Sequence, residues 1–327
     1  MVDPRPPVEP RPFEHRPVLL ERTVELFAPV PAGWIVDATL GGAGHAGAIL
    51  AAHPHVKVLG LDQDDTAVAA ATEALAPYGT RARIAHVRFD HLAEAVADLP
   101  DLDPRGVSGV LFDLGVSSPQ LDRAERGFSF RHDGPLDMRM DRRQAHSADE
   151  VVNTYTAERL ADTLDRYADE RFARRIAAAI VAARPIATTG ELADVVASAI
   201  PAPARRKSHG HPARRTFQAI RMEVNDELAV LASAIDQAVD ALMPGGRCVV
   251  MSYHSGEDRL IKERFRQMST GGCVCPPKLP CVCGAEPSGR LIRRGAQKAS
   301  AAEVAENPRA ESVRLRVIEK LDVPKAS

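Results

Sequence analysis

The residues of this chain with most to offer chemistry are acids that end strand-like runs. The run Trp34-Ile35-Val36 closes in Asp37, and a glycine-rich turn, Gly41-Gly42-Ala43-Gly44, follows at once. Such a turn lets the backbone meet a nucleotide-like ligand with no bulky Cβ in the way. A second run, Val56 to Leu61, closes in Asp62, 25 residues after Asp37. That is the length of one strand, helix and strand, and a carboxylate there can grip both hydroxyls of a ribose. The glycine turn and this acid point to an adenosine-containing cofactor. Asp37 tilts the choice to S-adenosylmethionine, whose ammonium head wants a carboxylate, and away from a pyrophosphate. A tight βα turn with a surface acid would read the same way in so short a motif.

Other strand ends carry polar groups too. A fourth strand-like run ends in Asp113, and a fifth is followed by Ser252-Tyr253-His254-Ser255. Phe89 follows the strand-like ARIAHVR, where an aromatic ring can stack on adenine. Ser117-Ser118-Pro119-Gln120, just after Asp113, is similar to the loop of enzymes that methylate exocyclic amines of bases. Such amines are poor nucleophiles because the lone pair is delocalised into the ring. A site for them must accept hydrogen bonds from the NH₂ and hold it in line with a methyl donor, so positioning dominates. Asp113, Ser117 and Ser118 can supply acceptors; a simple turn built by Gly115, the two serines and Pro119 is the alternative. In HSGEDR, His254 reads either as a general base or as the neighbour of a helix start capped by Ser255, with Glu257 and Asp258 in its first turn.

Two further clusters stand apart. Arg205, Arg206, Lys207, Arg214 and Arg215, with His209 and His211 between them, form a basic segment without an acid, a fair site for RNA phosphate contact. A second arginine group, at 126, 131, 139, 142 and 143, has acids interleaved. Cys273, Cys275, Cys281 and Cys283 make two C-x-C pairs that could bind zinc, although the spacing is tighter than usual. A cysteine-bearing loop without metal is the other reading, and a disulfide fits a reducing compartment poorly. Cys248, in an apolar run, reads as a small core residue.

The elements that position these residues follow from the rest of the chain. At 327 residues with 45% hydrophobic and 26% charged, it has ordinary globular composition and room for more than one domain. A net charge of -2 excludes a chain that is basic throughout, so any nucleic-acid surface is a local patch. No run of about 18 apolar residues predicts a membrane span, no leader is evident, and the expected location is cytoplasmic. Strands are expected near 34–38, 56–61, 82–87, 108–113 and 246–251, with 290–293 and 312–319 to complete the sheet. Strands alternating with helices, such as Asp65 to Leu75, imply a Rossmann-like, mostly parallel α/β sheet. Between about 125 and 210 only helical stretches occur, at 157–167, 169–183 and 191–200. The expected organisation is a proline-rich arm at 1–14, a core at 15–124 and 211–327, and an inserted helical substrate-recognition domain at 125–210. The run from Thr216 to Met243 reads as one long amphipathic helix stopped by Pro244-Gly245-Gly246.

Seven blocks carry a closer likeness: HRPVLLERTVE from His15, DATLGGAGH from Asp37, FDLGVSSPQLDRAERGFSF from Phe112, GPLDMRMD from Gly134, HPARRTFQAIRMEVNDEL from His211, SYHSGEDR from Ser252 and NPRAESVRLR from Asn307. In order and over nearly the whole chain, they closely resemble the bacterial 16S ribosomal RNA cytosine-N4 methyltransferases of the methyltransferase H type. The resemblance implies a class I S-adenosylmethionine-dependent fold with an inserted helical domain. It also implies methylation of the N4 amine of a decoding-centre cytidine in the small ribosomal subunit. Carried over, the family's cofactor contacts fall on Ala43, Gly44, His45, Asp62, Phe89, Asp113 and Gln120.

The chain departs from the family at three places. Glycine is usual where Ala43 stands, and alanine is expected to fit only with negative φ. Phenylalanine and leucine are usual where Tyr253 and Gly256 stand, which leaves the role of His254 open. The expected reaction is direct in-line transfer without a covalent enzyme intermediate, since no cysteine lies near the strand ends except Cys248. A nicotinamide oxidoreductase should show G-x-G-x-x-G, which residues 41–46 do not give. A DNA cytosine-N4 or adenine-N6 methyltransferase and a non-catalytic RNA-binding assembly factor are the remaining alternatives. The oligomeric state stays open, with a homodimer one option.

Overall fold

A computed structural model describes residues 16–207, 210–276 and 282–322; the proline-rich arm, His209 and Cys281 lie outside the described residues. Seven strands form one sheet: β1 (Gly33–Asp37), β2 (Val56–Asp62), β3 (Ala82–His86), β4 (Val107–Asp113), β5 (Leu242–Ser252), β6 (Gly289–Leu291) and β7 (Arg314–Lys320). Their order is β3-β2-β1-β4-β5-β7-β6. The first five are parallel, and β7 runs antiparallel to both β5 and β6. Strands β1 and β4 are apolar on both faces, as parallel strands covered on both sides must be. The order reverses at β1, which pairs with β2 on one side and β4 on the other. A crevice opens at such a switch point beyond the carboxyl ends of the strands. Asp37, Asp62 and Asp113 are the last residues of the three strands that meet there.

Helices cover both faces. On one side α1 (Leu20–Phe27), α2 (Gly44–Ala52) and α3 (Asp65–Leu75) bury Phe27, Ile49, Leu50 and Leu75 against Ile35, Val58 and Leu111. Asp64 caps α3, its carboxylate accepting from Thr66 N. On the opposite face α4 (Leu92–Ala97) buries Leu92 and Val96 against Val36, Val110 and Phe112. After β4 come α5 (Ser118–Asp122), α6 (Ala148–Thr154), α7 (Ala157–Ala168), α8 (Ala173–Ala183), α9 (Thr189–Ala199) and α10 (Ala202–Lys207). A capping box of Thr188 and Glu191 starts α9. These helices bury Leu160, Leu164, Ile176, Ile180, Leu192 and Val196 in a core of their own.

Three readings change here. The stretch read as one long helix is two, α11 (Arg214–Val224) and α12 (Glu227–Ala241). Asp226 between them is left-handed at φ +50. The break is made by buried Asn225, whose side chain accepts from Met140 N (2.8 Å) and donates to Met138 O (2.9 Å), leaving it engaged with a loop 85 residues away. The division near residue 210 also shifts, because α11 turns Phe217, Ile220 and Met222 into the helical core. Helix α12 and α13 (Ser255–Thr270) instead join α4 on the sheet through Leu231, Ile235, Ile261 and Phe265. Strand β5 begins at Leu242, so Pro244-Gly245-Gly246 lie inside its irregular start, where the register with β4 slips. A last helix, α14 (Ala301–Glu306), precedes β7.

Candidate active site

The glycine turn is built on a strained alanine. Ala43 has φ +63 and ψ +20, so the expectation of negative φ is wrong. The left-handed region costs an L-residue about 1–2 kcal/mol. What holds it there is local: Ala43 N donates to Leu40 O and Ala43 O accepts from Gly47 N, both at 2.8 Å, and the methyl is buried in the α1–α2 core. Gly44 beside it is required for space. A Cβ on Gly44 would sit 2.5 Å from Pro17, whereas one on Gly42 would meet nothing within 4 Å. The turn is tight on the protein side and open on the other.

Two groups of side chains face this turn. In the first, Asp62 accepts from Gly41 N through Oδ2 (2.8 Å) and from Asp64 N through Oδ1 (2.9 Å). Burial raises its pKa above the ordinary carboxylate value. Next to it, Asp64 Oδ2 takes both Gln120 Nε2 (2.9 Å) and Arg126 Nη1 (2.7 Å). Burial opposes that charge, yet these bonds outweigh it and hold Asp64 below its usual range. Gln120 Oε1 accepts from Ser117 N (3.0 Å), so the Ser-Ser-Pro-Gln turn is tied to the end of β2 through one carboxamide. Arg126 also donates to Arg139 O and Met140 O and is almost wholly buried. It is therefore unavailable to RNA, and Arg139 and Arg143 of the same expected group pair with Asp137 and Asp141.

In the second group, Asp113 accepts from Tyr253 Oη through Oδ1 at 2.6 Å, while its Oδ2 lies 3.5 Å from His45 Nε2. Burial and the Asp113 charge push the Tyr253 phenol well above its normal pKa, so it stays a donor. Thr39 Oγ1 fixes the start of the loop by accepting from Asp113 N (2.6 Å). Asp37 sits between the groups, fully buried. Burial pushes its pKa up to about 7, partly offset by His45 and Thr39 N, with Asp113 and Asp62 adding repulsion. Both ring nitrogens of His45 are buried without a hydrogen-bond partner. An unmet polar group of that kind costs about 1–3 kcal/mol. Unmet imidazole nitrogens beside a buried carboxyl raised to about 7, which a nearby cation would help to ionise, under an open glycine turn, suit a cationic, hydroxyl-bearing ligand such as S-adenosylmethionine.

Other expected residues fall as follows. Phe89 packs edge-on against Phe112, centroids 5.8 Å apart, at the third strand end. Ser117 is partly exposed, and the backbone of Ser118 begins α5. The cap of α13 is His254 rather than Ser255: Nδ1 accepts from Glu257 N (3.4 Å) and Nε2 lies 3.0 Å from Glu257 Oε1. Burial alone would raise Glu257, but His254 and Arg221 hold it below its ordinary value. Glu227, His254 and Glu257 are close enough for a metal, yet Arg221 already takes both oxygens of Glu227 at 2.7 Å. Arg205, Arg206, Arg214 and Arg215 are exposed and form no ion pair with a described residue. Arg215 donates to Asp169 O (3.2 Å), whose carboxylate is 3.5 Å from Ser255 Oγ, so this end of the basic segment borders the β5 strand end.

Sequence reasoning missed Thr39, Asp64 and the pairing of Tyr253 with Asp113. The acid run Asp62-Gln63-Asp64-Asp65 hinted at a second carboxylate, but its partners are 56 and 62 residues away. No described helix is long and apolar enough to cross a membrane.

Known proteins resemble this chain over nearly its whole length. "Ribosomal RNA small subunit methyltransferase H" of Symbiobacterium thermophilum is 48% identical over 94% of this chain and 97% of its own length. The protein of the same name from Frankia alni is 52% identical over 94% of this chain and 95% of its own. Among solved structures, an rRNA methylase from Streptococcus thermophilus aligns over 95% of this chain and all of its own at 11% identity. Its TM-score of 0.41 is too low to bear on function. The enzyme is a methyltransferase with S-adenosylmethionine as cofactor, as expected. The family model of the MraW methylase family matches residues 12–321, and the chain belongs to that family.

Proposed function

We propose that this enzyme methylates the N4 amine of a decoding-centre cytidine in 16S ribosomal RNA, acting in the cytoplasm on the small ribosomal subunit. The observation that carries the reading is Asp113, whose Oδ1 is engaged by Tyr253 while Oδ2 is left facing His45. A carboxylate fixed by one oxygen offers the other as a directed acceptor for an amine N–H. The names of the two relatives, both ribosomal RNA methyltransferases, support the substrate class.

S-adenosylmethionine, when bound, supplies an electrophilic methyl on a sulfonium. In this reading Gly41 to Gly44 and His45 lie against it, Asp62 accepts from the ribose hydroxyls and Asp37 faces the ammonium. Phe89 meets the adenine, and Gln120 holds the far wall. Asp113 Oδ2, Ser117 and Ser118 orient the amine and receive its N–H bonds, so the lone pair is turned to the methyl. Cys248 takes no part: it is fully buried in β5 and burial raises its thiol pKa far from the thiolate a nucleophile needs. The helical region around α7 to α9 recognises the RNA, with Arg205, Arg206, Lys207, Arg214 and Arg215 on its phosphates. Mass mapping of rRNA from cells with and without the gene tests the proposal; N4-methylcytidine retained without it refutes it. Competition between small subunits, naked 16S rRNA and duplex DNA separates this substrate from a DNA cytosine or adenine.

A further inference from the structure

We infer that Cys273, Cys275 and Cys283 form a structural zinc site on the segment between α13 and β6. Their sulfurs all lie within 4.8 Å of one another, and the Sγ atoms of Cys273 and Cys283 are 3.6 Å apart. A disulfide would bring two sulfurs to about 2.05 Å. Two thiolates on one tetrahedral zinc, each at about 2.3 Å, stand about 3.8 Å apart. The observed separation matches shared ligation and not a covalent pair.

The backbone is shaped to hold the sulfurs there. Helix α13 ends at Thr270, and Gly271 follows with φ +61. A Cβ on Gly271 would lie 2.5 Å from the backbone of Glu286, so the two arms of the segment touch main chain to main chain at that glycine. Ser288 N donates to Met268 O (3.0 Å) and closes the neck one step further down. Cys273 and Cys283 therefore face each other just beyond a closed neck. Gly272 and Gly284, also at positive φ, turn the chain beside them. Side-chain direction is the second sign. Val274 and Val282 are 88% and 89% exposed, while the neighbouring cysteines point their sulfurs at one another. Apolar side chains are given to solvent and thiols are gathered in, the reverse of what a small hydrophobic cluster would do.

An all-thiolate donor set favours zinc over the hard cations. Binding releases the thiol protons and orders the segment, so the ion's binding energy becomes folding energy for this loop. These three cysteines supply three of the four positions of a tetrahedral zinc; Cys281 lies outside the described residues. The role is structural, since α13, 16 residues long, separates the thiols from His254 by about 24 Å.

The test uses the full chain purified under reducing conditions with no metal-binding tag. Elemental analysis should find about one zinc per chain, and cobalt exchanged into the site should give the thiolate charge-transfer and tetrahedral bands. Cys275→Ala and Cys283→Ala should each weaken zinc binding at least tenfold while circular dichroism and S-adenosylhomocysteine affinity stay unchanged. A wild-type chain that takes up neither zinc nor cobalt overturns the site. So does a Cys273–Cys283 disulfide that persists in the reduced preparation, or variants that keep full zinc affinity.

Discussion

Asp37 should make cofactor binding depend on pH near neutrality. Its carboxyl is fully buried, and its pKa is pushed up to about 7 with two more acids, Asp62 and Asp113, adding to the repulsion. A cationic ligand head favours the ionised form, so affinity follows the ionised fraction. With a pKa of about 7 that fraction rises from about a tenth at pH 6 to about nine tenths at pH 8, a gain near tenfold or about 1.4 kcal/mol. Stability of the unliganded protein moves the other way. A carboxyl raised on folding keeps its full contribution below about 3.8 and loses it as pH climbs through about 7. The gap between those values corresponds to about 4 kcal/mol, the most this group can cost the free protein at pH 8. Asp37→Asn should abolish the pH slope of affinity and make the free protein more stable than wild type at pH 8. Calorimetry with S-adenosylhomocysteine from pH 6 to 8, alongside urea melts of both proteins, reads the two effects. Flat wild-type affinity, or an unchanged slope in Asp37→Asn, refutes the reasoning.

Three further outcomes can be checked. Asp62→Ala should weaken cofactor binding by about 1.5–3 kcal/mol, the scale of a charge-assisted hydrogen bond, and unchanged affinity by calorimetry would remove Asp62 from the ribose role. Arg126→Met leaves Asp64 buried without its cation and should cost about 3–5 kcal/mol in a urea melt, part of it recovered by adding Asp64→Asn. Because Asp64 is held below its usual pKa, that cost is present above about pH 4 and fades as pH falls further; a constant difference would mean the pair is not the cause. Replacing Arg205, Arg206, Arg214 and Arg215 together by alanine should lower activity on ribosomal RNA and flatten its salt dependence while sparing cofactor affinity, and untouched activity would make the segment a solvated face.

Much of this protein is local enough to be legible in its sequence. Apolar runs closed by acids at 37, 62 and 113 mark strand ends, because a parallel strand covered on both sides must be apolar until it leaves the sheet. The helix from Asp65 to Leu75 and a strand near 312–319 are read in the same way, but alternation suggests an edge strand, whereas β7 lies between β5 and β6 and runs antiparallel to both. The tertiary structure alone decides which of these ends meet. Tyr253 reaches Asp113 across 140 residues because β5 lies beside β4. Arg126 looks like one more surface arginine until the turn after α5 lays it on Asp64. The sign of φ at Ala43 is likewise a tertiary outcome, since Leu40, Gly47 and the α1–α2 core hold a conformation that alanine alone would avoid. Residue type and period act over a few residues. Pairing, burial and the pKa of Asp37 depend on neighbours that only the folded chain supplies.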